Sequence, residues 1–262
     1  MRPNINIVCL VSIGRHPQSG RARRAEQDGR AVELGLKLAD SRLTLVHAGD
    51  ADDPVLRQYT GMGLDGLTVL TQNKGDDALP ALVTFFKANR QNHSRQIVLT
   101  GVHAENGESS GMLPYLLAEQ LGWPLVPRIA DIVRVDEFEA EVLLALPRGQ
   151  RRAVTVALPF IASVDAAAQE ARQSAFARGL RATVTSLDGA AAIDELASQW
   201  HISPAKPKPK RLKVVKAKTA ADRMKAATAK PVGSGGKVLK NESIDEQAQA
   251  IFDVLIEEKV IR

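Results

Sequence analysis

The chain has 262 residues, enough to bury a full hydrophobic core as one large domain or as a domain with an appendage. Its hydrophobic content of 44% is that of an ordinary soluble protein, and its longest nearly apolar run, residues 154–164, is too short to span a bilayer as a helix. The net charge of +5 is unevenly placed: residues 205–240 carry twelve Lys or Arg and one acid, so removing their +11 leaves −6 elsewhere. The mildly acidic body argues against a nucleic-acid-binding domain.

The first 125 residues alternate between strand and helix patterns. Short apolar runs rich in β-branched residues predict strands covered on both faces, at residues 6–11, 43–47, 66–70 and 96–100. Apolar residues at helical spacing predict helices between them, over residues 25–39 and 77–92. This order predicts an α/β fold with a doubly wound, mostly parallel sheet. In that fold the first and fourth strands are neighbours, and a ligand-binding crevice opens at their carboxyl ends.

The pattern changes after Pro127. Residues 129–135, 138–146 and 153–158 predict three consecutive strands, which we expect to extend the sheet in antiparallel fashion. The Ala-rich residues 164–177 predict a helix, and residues 183–186 predict a last strand.

The C-terminal part has a different composition. Residues 203–240 are rich in proline, glycine and lysine and have few large side chains, which predicts an extended arm without a core of its own. Ser243 and Glu246 then form a capping-box pattern, and an amphipathic helix is expected to follow. We therefore predict an α/β domain over residues 1–203, a basic arm over 204–240 and, over 241–262, a helix that docks on a partner chain.

Side-chain catalysis is not indicated by any motif. The five histidines lack metal-ligand spacing, and the P-loop, the G-x-G-x-x-G fingerprint and the G-x-S-x-G elbow are all missing. The single cysteine, Cys9, lies in an apolar run and is expected to be a buried small hydrophobe. Because no disulfide can form within the chain, a cytoplasmic location, or a mitochondrial matrix in a eukaryote, is expected.

Two loops rich in glycine and serine follow the first and fourth predicted strands, at residues 12–20 and 101–111. Their main-chain N–H groups and the positive end of the following helix would suit a phosphate group. Two ordinary surface turns are the alternative interpretation.

Several motifs, in order along the chain, resemble those of electron-transfer flavoprotein β subunits. Residues 56–57 and 62–65 resemble the pattern LR-x-ALAMGAD, and TGVHAENGESSG followed by LLAEQLGWPLV resembles TG-x-x-A-x-DGDTGQ…LAE-x-LG-x-P. Residues 28–33 are similar to the end of NPFDEIAVEEAL, residues 158–161 to LPAVV, and residues 170–172 to EPR. The resemblance covers nearly the whole chain, including the basic arm and the final helix.

The resemblance implies a heterodimer with an α subunit that binds most of an FAD, and a site in this chain for AMP or for a second FAD. Positions in the loops at the strand ends would line the cofactor sites: Leu10, Val11, Ser12, His16, Glu26, Gln27, Asp28, Gly29, Ala48, Gly49, Asn106, Gly107, Glu108, Ser109, Ser110, Gly111 and Met112. His16 corresponds to the stretch that approaches the flavin. The family's recognition loop, which docks on dehydrogenases, corresponds to residues 170–180, with Glu170, Arg172 and Phe176 as docking residues; Phe176 could instead be simple core.

The function implied by the resemblance is that of an electron carrier rather than an enzyme. It would pass electrons from primary flavin dehydrogenases through FAD to a membrane quinone oxidoreductase, without being embedded in the membrane itself. The chain departs from the family pattern inside the nucleotide site, where residues 25–28 replace NPFD and Asn106 and Glu108 replace acids of the loop. A stand-alone adenine-nucleotide-binding sensor of similar fold remains an alternative. Nucleic acid is not expected as a partner, since the arm lacks interleaved aromatic residues for base stacking.

Overall fold

The structure is a computed structural model, which describes residues 5–39, 43–73, 75–88, 95–107, 109–190, 192–201, 203–205, 219–228, 239–240, 242–257 and 260. Close Cα neighbours divide the chain into two compact units, Met1–Ile202 and Ser203–Arg262.

The first unit is built around a large sheet. The strands of the described residues are β1 (Asn6–Leu10), β2 (Ile13–Arg15), β3 (Ala22–Arg24), β4 (Thr44–Gly49), β5 (Gly66–Thr71), β6 (Gln96–Gly101), β7 (Leu125–Val135), β8 (Glu139–Ala145), β9 (Arg151–Ala157), β10 (Phe160–Val164) and β11 (Thr183–Asp188). Nine of them form one sheet in the order β11-β5-β4-β1-β6-β10-β7-β8-β9, parallel from β11 to β7 and antiparallel from β7 to β9. The predicted fold class, a mostly parallel sheet with added antiparallel strands, is confirmed.

Helices connect the parallel strands. In the same part of the chain they are α1 (Glu26–Ala39), α2 (Leu56–Thr60), α3 (Ala78–Ala88), α4 (Leu113–Leu121), α5 (Phe176–Arg181) and α6 (Glu195–Ser198), with a short 3₁₀ turn at Pro147–Gly149. Glycine ends α4: Gly122 takes a left-handed conformation and donates its N–H to Ala118 and Glu119 carbonyls.

Strand β1 lies in the middle of the parallel part, between β4 and β6. Cys9 of β1 pairs with Leu45 on one side and with Leu99 on the other. From β1 the chain passes through α1 to β4 and β5 on one side, and then crosses to β6 on the opposite side. The direction of winding therefore reverses between β1 and β6, as the sequence predicted. Doubly wound folds bind ligands at the carboxyl ends of such strands, and we call this region the crevice.

Apolar side chains cover both faces of the sheet. Along β1, Ile7 and Cys9 pack in one hydrophobic cluster and Val8 and Leu10 in another, because successive side chains of a strand point to opposite faces. Helix α1 contributes to the first cluster, and α3 and α4 contribute to the second. This explains why the strands read as continuous apolar runs, and it confirms that Cys9 is buried.

The sequence interpretation was wrong for residues 164–177. No long helix forms there: Phe160–Val164 is the buried strand β10, parallel to β6 and β7, and only Phe176–Arg181 is helical. The Ala-rich composition favours a helix, but hydrogen bonds to α1 hold this segment in a non-helical conformation. The carbonyl of Ala168 accepts a hydrogen bond from Arg30, and the N–H of Arg172 donates to Glu33.

Two short elements near the crevice were also not predicted. The strands β2 and β3 form an antiparallel hairpin, in which Gly14 pairs with Arg23. Helix α2 has only five residues, too few to show a helical repeat. Both elements contribute side chains and main-chain groups to the site.

The second unit contains the helices α7 (Ala220–Thr228) and α8 (Ile244–Glu257). The predicted capping box is confirmed: Ser243 N–H donates to Glu246 Oε2 over 2.9 Å, and Glu246 N–H donates to Ser243 Oγ over 3.3 Å. No residue of α8 is buried, and Ile251 and Phe252 of its apolar face are exposed.

Helix α7 lies within the segment that was predicted to be an extended arm. Its start carries a signal that the sequence interpretation overlooked. Thr219 Oγ1 accepts a hydrogen bond from Asp222 N–H over 3.1 Å and donates one to the Asp222 carboxylate over 2.7 Å. The alanines, Met224 and Lys225 that follow are good helix formers.

Candidate functional site

Asp28, in the first turn of α1, binds the carboxyl ends of both β1 and β6 at the crevice. Oδ2 of Asp28 accepts hydrogen bonds from the Ser12 N–H (2.8 Å) and hydroxyl (2.6 Å), and Oδ1 accepts one from the Gly101 N–H (3.0 Å). A Cβ atom on Gly101 would lie 2.4 Å from Oδ1. The absence of a side chain at Gly101 therefore lets one carboxylate join the ends of both strands.

Burial dominates the electrostatics of Asp28. Desolvation raises the pKa of its carboxyl to about 6, although the hydrogen bonds from Ser12 and Gly101 lower it, and the nearby charge of Glu105 raises it further. No cation pairs with Asp28 among the residues that the structure describes. The carboxyl is thus held by neutral donors alone.

Two other side chains occupy main-chain donors of the crevice. Gln27 Oε1 accepts the N–H of Val102 over 2.9 Å. Glu105, in the loop between β6 and α4, accepts from the N–H groups of Arg15 (3.1 Å) and Glu26 (2.8 Å). It also forms a two-point ion pair with the guanidinium of Arg23, at 3.0 and 3.2 Å.

Glu105 was missed by the sequence interpretation, which began the loop site at Asn106. Its partners lie 79 to 90 residues earlier in the chain. Nothing in the local sequence distinguishes it from a solvated loop acid. The predicted adjacency of the strands at residues 6–11 and 96–100 was the available signal, because it places the two loops side by side.

A buried tyrosine fixes the backbone where β1 turns into the hairpin. Tyr59 of α2 donates its hydroxyl to the Ser12 carbonyl over 2.7 Å and accepts the N–H of Ala25 over 2.9 Å. Desolvation raises the pKa of this phenol well above its usual value. Tyr59 therefore stays neutral and acts as a bridge between the start and the end of the hairpin segment.

The end of β4 contributes the third side of the crevice. His47 is buried, and its Nδ1 lies 2.8 Å from the Val11 carbonyl. Burial lowers the pKa of His47, so the imidazole is neutral at pH 7 and Nδ1–H donates to that carbonyl. At Gly49, φ is 153° and a Cβ atom would lie 2.6 Å from His47 Nε2. Ala48 and Gly49, both predicted site residues, thus lie at the strand end together with His47.

The loop from β6 to α4 contains the longest run of predicted site residues. Gly107 and Gly111 have φ values of 74° and 78°, and a Cβ atom on Gly111 would lie 2.6 Å from the Val102 carbonyl. Ser110 Oγ accepts the N–H of Met112 over 3.1 Å. The predicted site residues Asn106, Ser109 and Met112 lie in the same loop, and Glu108 lies outside the described residues.

The remaining predicted cofactor residues lie around these groups. Leu10 and Val11 are buried with their side chains in the core, so only their main chains reach the crevice. Gly29 lies against Arg24 and Ala171 and not against the groups described above. His16 lies in the loop of the β2–β3 hairpin, where its Nδ1 accepts hydrogen bonds from the N–H groups of residues 18 and 19.

The predicted docking residues lie on a segment that α1 anchors. Arg172 binds Glu33 through its main-chain N–H and its guanidinium, at 2.8 to 3.1 Å, and this contact lowers the pKa of Glu33. Glu170 is largely exposed, 3.7 Å from Arg30. Phe176 is 78% exposed, so it is not a core residue.

The described part of the chain has neither a candidate metal cluster nor a candidate membrane span. No cluster of His, Cys, Asp or Glu there could hold a metal ion. No helix there is long and apolar enough to cross a membrane.

The sheet, with loops from three strand ends around its switch point, defines a doubly wound α/β protein, a class in which ligands bind at that point. A family model described as electron transfer flavoprotein domain matches residues 18–192. The chain is 48% identical to the electron transfer flavoprotein subunit beta of Chromohalobacter salexigens over 265 aligned residues, which cover 100% of this chain and 98% of that protein. The chain belongs to the electron transfer flavoprotein family.

Proposed function

We propose that this chain is the β subunit of a heterodimeric electron-transfer flavoprotein, which carries electrons through an FAD that it shares with an α subunit. The observation that carries the proposal is the 48% identity to a β subunit over the entire length, arm and final helix included. The flavin supplies the redox chemistry, and the protein supplies the pocket and the docking surfaces. The chain is thus proposed to be a carrier, without catalysis by its own side chains.

The nucleotide site is proposed at the crevice, with AMP or a second FAD as ligand. The α4 side suits a phosphate group. The first turn of α4 contains no acid, and its N-cap residue, Met112, makes no capping hydrogen bond through its side chain. The left-handed Gly107 and Gly111 let the loop backbone turn closely around that helix end. The residues of this loop would hold the phosphate, and His16, in the hairpin, is proposed to approach the shared flavin.

The segment of residues 170–180 is proposed as the docking surface for primary dehydrogenases. Its start is fixed to α1 through Arg172 and Glu33, while Phe176 remains exposed. An exposed aromatic residue on an anchored segment is well placed to fill a pocket on a partner. Glu170 and Arg172 lie beside it, and they would add charge complementarity.

The second unit is proposed to bind the α subunit. Helix α8 exposes apolar residues, and the preceding residues 205–240 carry a net charge of +11. An acidic surface on the α subunit would attract this segment, and the apolar face of α8 would then be buried there. Deleting residues 204–262 should therefore abolish heterodimer formation, and an intact complex after the deletion would contradict this step.

We propose that the electrons pass from flavin dehydrogenases to a membrane quinone oxidoreductase, with the heterodimer in the cytoplasm. The test is co-expression of this chain with its α subunit, followed by denaturation and measurement of FAD and AMP per heterodimer. One of each indicates the ordinary carrier, and two FAD without AMP indicate the branch with a second flavin. A colourless protein, or no complex, would refute the proposal.

A stand-alone nucleotide sensor is the second candidate. The ends of three neighbouring strands of this chain, β4, β1 and β6, lie at the crevice. A sensor would be stable and would bind AMP or ATP in the absence of any α subunit. Calorimetric titration of the isolated chain distinguishes this candidate from the carrier, whose stability and flavin content depend on the partner.

A further inference from the structure

Four hydrogen-bond donors converge on the carboxylate of Glu105. The main-chain N–H groups of Arg15 and Glu26 lie 3.1 and 2.8 Å from its oxygens, and the Nε and Nη2 atoms of Arg23 lie 3.2 and 3.0 Å away. Three separate elements supply these donors: both strands of the β2–β3 hairpin and the start of α1. The Glu105 side chain is 19% exposed, so the carboxylate is largely enclosed by them.

These donors are of the kind that proteins use to bind phosphate. Main-chain N–H groups at the first turn of a helix, together with a guanidinium that offers two parallel N–H groups, bind tetrahedral and planar anions alike. Helix α1 has 14 residues, so its positive end is well developed. In this chain the anion at that end is the protein's own carboxylate.

The neighbouring donors on the α1 side are occupied in the same way. The Val102 N–H is bound by Gln27, and the Ser12 and Gly101 N–H groups are bound by Asp28. The ion pairs at this end of α1 are Arg23–Glu105 and Arg30–Glu26, and the Asp28 carboxylate lies among neutral donors. Five main-chain N–H groups of this region are therefore already bound by side chains.

The two sides of the crevice consequently differ. The α1 side has Glu26 and Asp28 in its first helical turn, whereas the first turn of α4 has no acid. We propose that Glu105 is a specificity-determining residue of the crevice: its carboxylate fills the anion position at the start of α1 and excludes a phosphate group from that side. This inference rests on the crevice being the nucleotide site proposed above. A nucleotide then binds with its phosphate away from α1.

The first test replaces the carboxylate and asks whether a free anion takes its place. In the FAD-loaded heterodimer, Glu105→Ala should lower the melting temperature, and inorganic phosphate should raise it again by about 3–5 °C at 100 times its dissociation constant, since ligand binding stabilises by mass action. Potassium chloride at equal ionic strength corrects for general salt effects. Wild type and Glu139→Ala should show only the general effect; Glu139 lies on β8, which β10 and β7 separate from β6 in the sheet.

The second test keeps the shape of the side chain and removes its charge. With nucleotide-stripped heterodimer, Glu105→Gln should raise the affinity for AMP relative to adenosine by about fivefold, because the negative charge that keeps a phosphate group from the α1 side is lost. The affinity for adenosine itself should change less than about twofold. If the role of Glu105 were purely structural, Glu105→Gln would weaken the binding of AMP and adenosine equally, and phosphate would not restore the melting temperature of Glu105→Ala.

The proposal requires both results. It is overturned if phosphate stabilises Glu105→Ala no more than wild type, or if Glu105→Gln leaves the ratio of AMP to adenosine affinity unchanged. Failure of the proposed nucleotide site gives a different pattern, in which neither adenosine nor AMP binds wild type or variant. That pattern overturns the inference together with the site on which it rests.

Discussion

Replacement of Asp28 by asparagine should flatten the pH dependence of stability. The carboxyl has a pKa of about 6 in the folded protein, against about 3.9 for an unfolded aspartate. The folded state therefore binds the proton more tightly, so the contribution of Asp28 to stability is fully present below about pH 3.9 and is lost as the pH rises through 6. In total the loss amounts to about 3 kcal/mol, at about 1.4 kcal/mol per pKa unit.

About half of this loss falls between pH 5 and 7.5. Over that interval the two pKa values correspond to a decrease of about 1.4 kcal/mol in the free energy of unfolding. Asparagine at position 28 does not titrate, so this decrease should be missing from the variant. The variant also loses an acceptor for Ser12 or Gly101, because its amide nitrogen cannot accept, and this costs about 1–3 kcal/mol at every pH.

The assay is urea unfolding of the FAD-loaded heterodimer at pH 5.0, 6.0, 6.8 and 7.5, with one protein concentration throughout. The quantity of interest is the free-energy difference between wild type and Asp28→Asn, which should shrink by about 1.4 kcal/mol from the lowest to the highest pH. Asp188→Asn, on the exposed strand β11, controls for the loss of one negative charge. Parallel curves for wild type and Asp28→Asn would refute the assignment of a raised pKa to this carboxyl.

Three further predictions concern other contacts of the site. Tyr59→Phe leaves the Ala25 N–H and the Ser12 carbonyl without their partner, so it should destabilise the heterodimer by about 1–3 kcal/mol in thermal or urea unfolding. The control Tyr115→Phe, on the surface of α4, should change stability by less than about 0.5 kcal/mol. Glu33→Gln weakens the contact to Arg172 and should speed proteolytic cleavage within residues 170–180 several-fold; equal cleavage rates would contradict the anchoring role. Phe176→Ala should leave melting unchanged but lower kcat/KM for reduction by a dehydrogenase by about tenfold or more, while Phe138→Ala, equally exposed elsewhere, should have no effect.

The sheet could be predicted from the sequence because its signals are local. Each parallel strand is a short apolar run, and the runs alternate with helical patterns, which fixes both the elements and the neighbours of β1. Strand β10 could not be predicted from these local signals. It follows β9 after two residues, within one apolar stretch, and the residues after it have a helical composition. Only the long-range pairing with β6 and β7 reveals that Phe160–Val164 is a separate strand.

The candidate site could be predicted less completely, because its geometry depends on contacts between distant residues. The predicted loops do meet, and Asp28 does lie at their junction. The sequence gives no indication that Asp28 binds the chain's own N–H groups rather than facing solvent. The predicted adjacency of the two loops did not single out Glu105, since its four donors become neighbours only when the β2–β3 hairpin folds against the β6–α4 loop.

The same distant contacts explain why, among the described residues, a carboxylate is buried without a cationic partner at the switch point. The other two buried acids that the structure describes have cationic partners: Glu33 pairs with Arg172, and Asp165 pairs with Arg128. At the switch point, Asp28 is buried against neutral donors, and Glu105 adds a second carboxylate nearby. Such a local conflict with stability is expected where a site is held in one arrangement for function. The carboxylates join β1, β6 and α1 into one unit, and the α4 side of the crevice is the side proposed for the phosphate group.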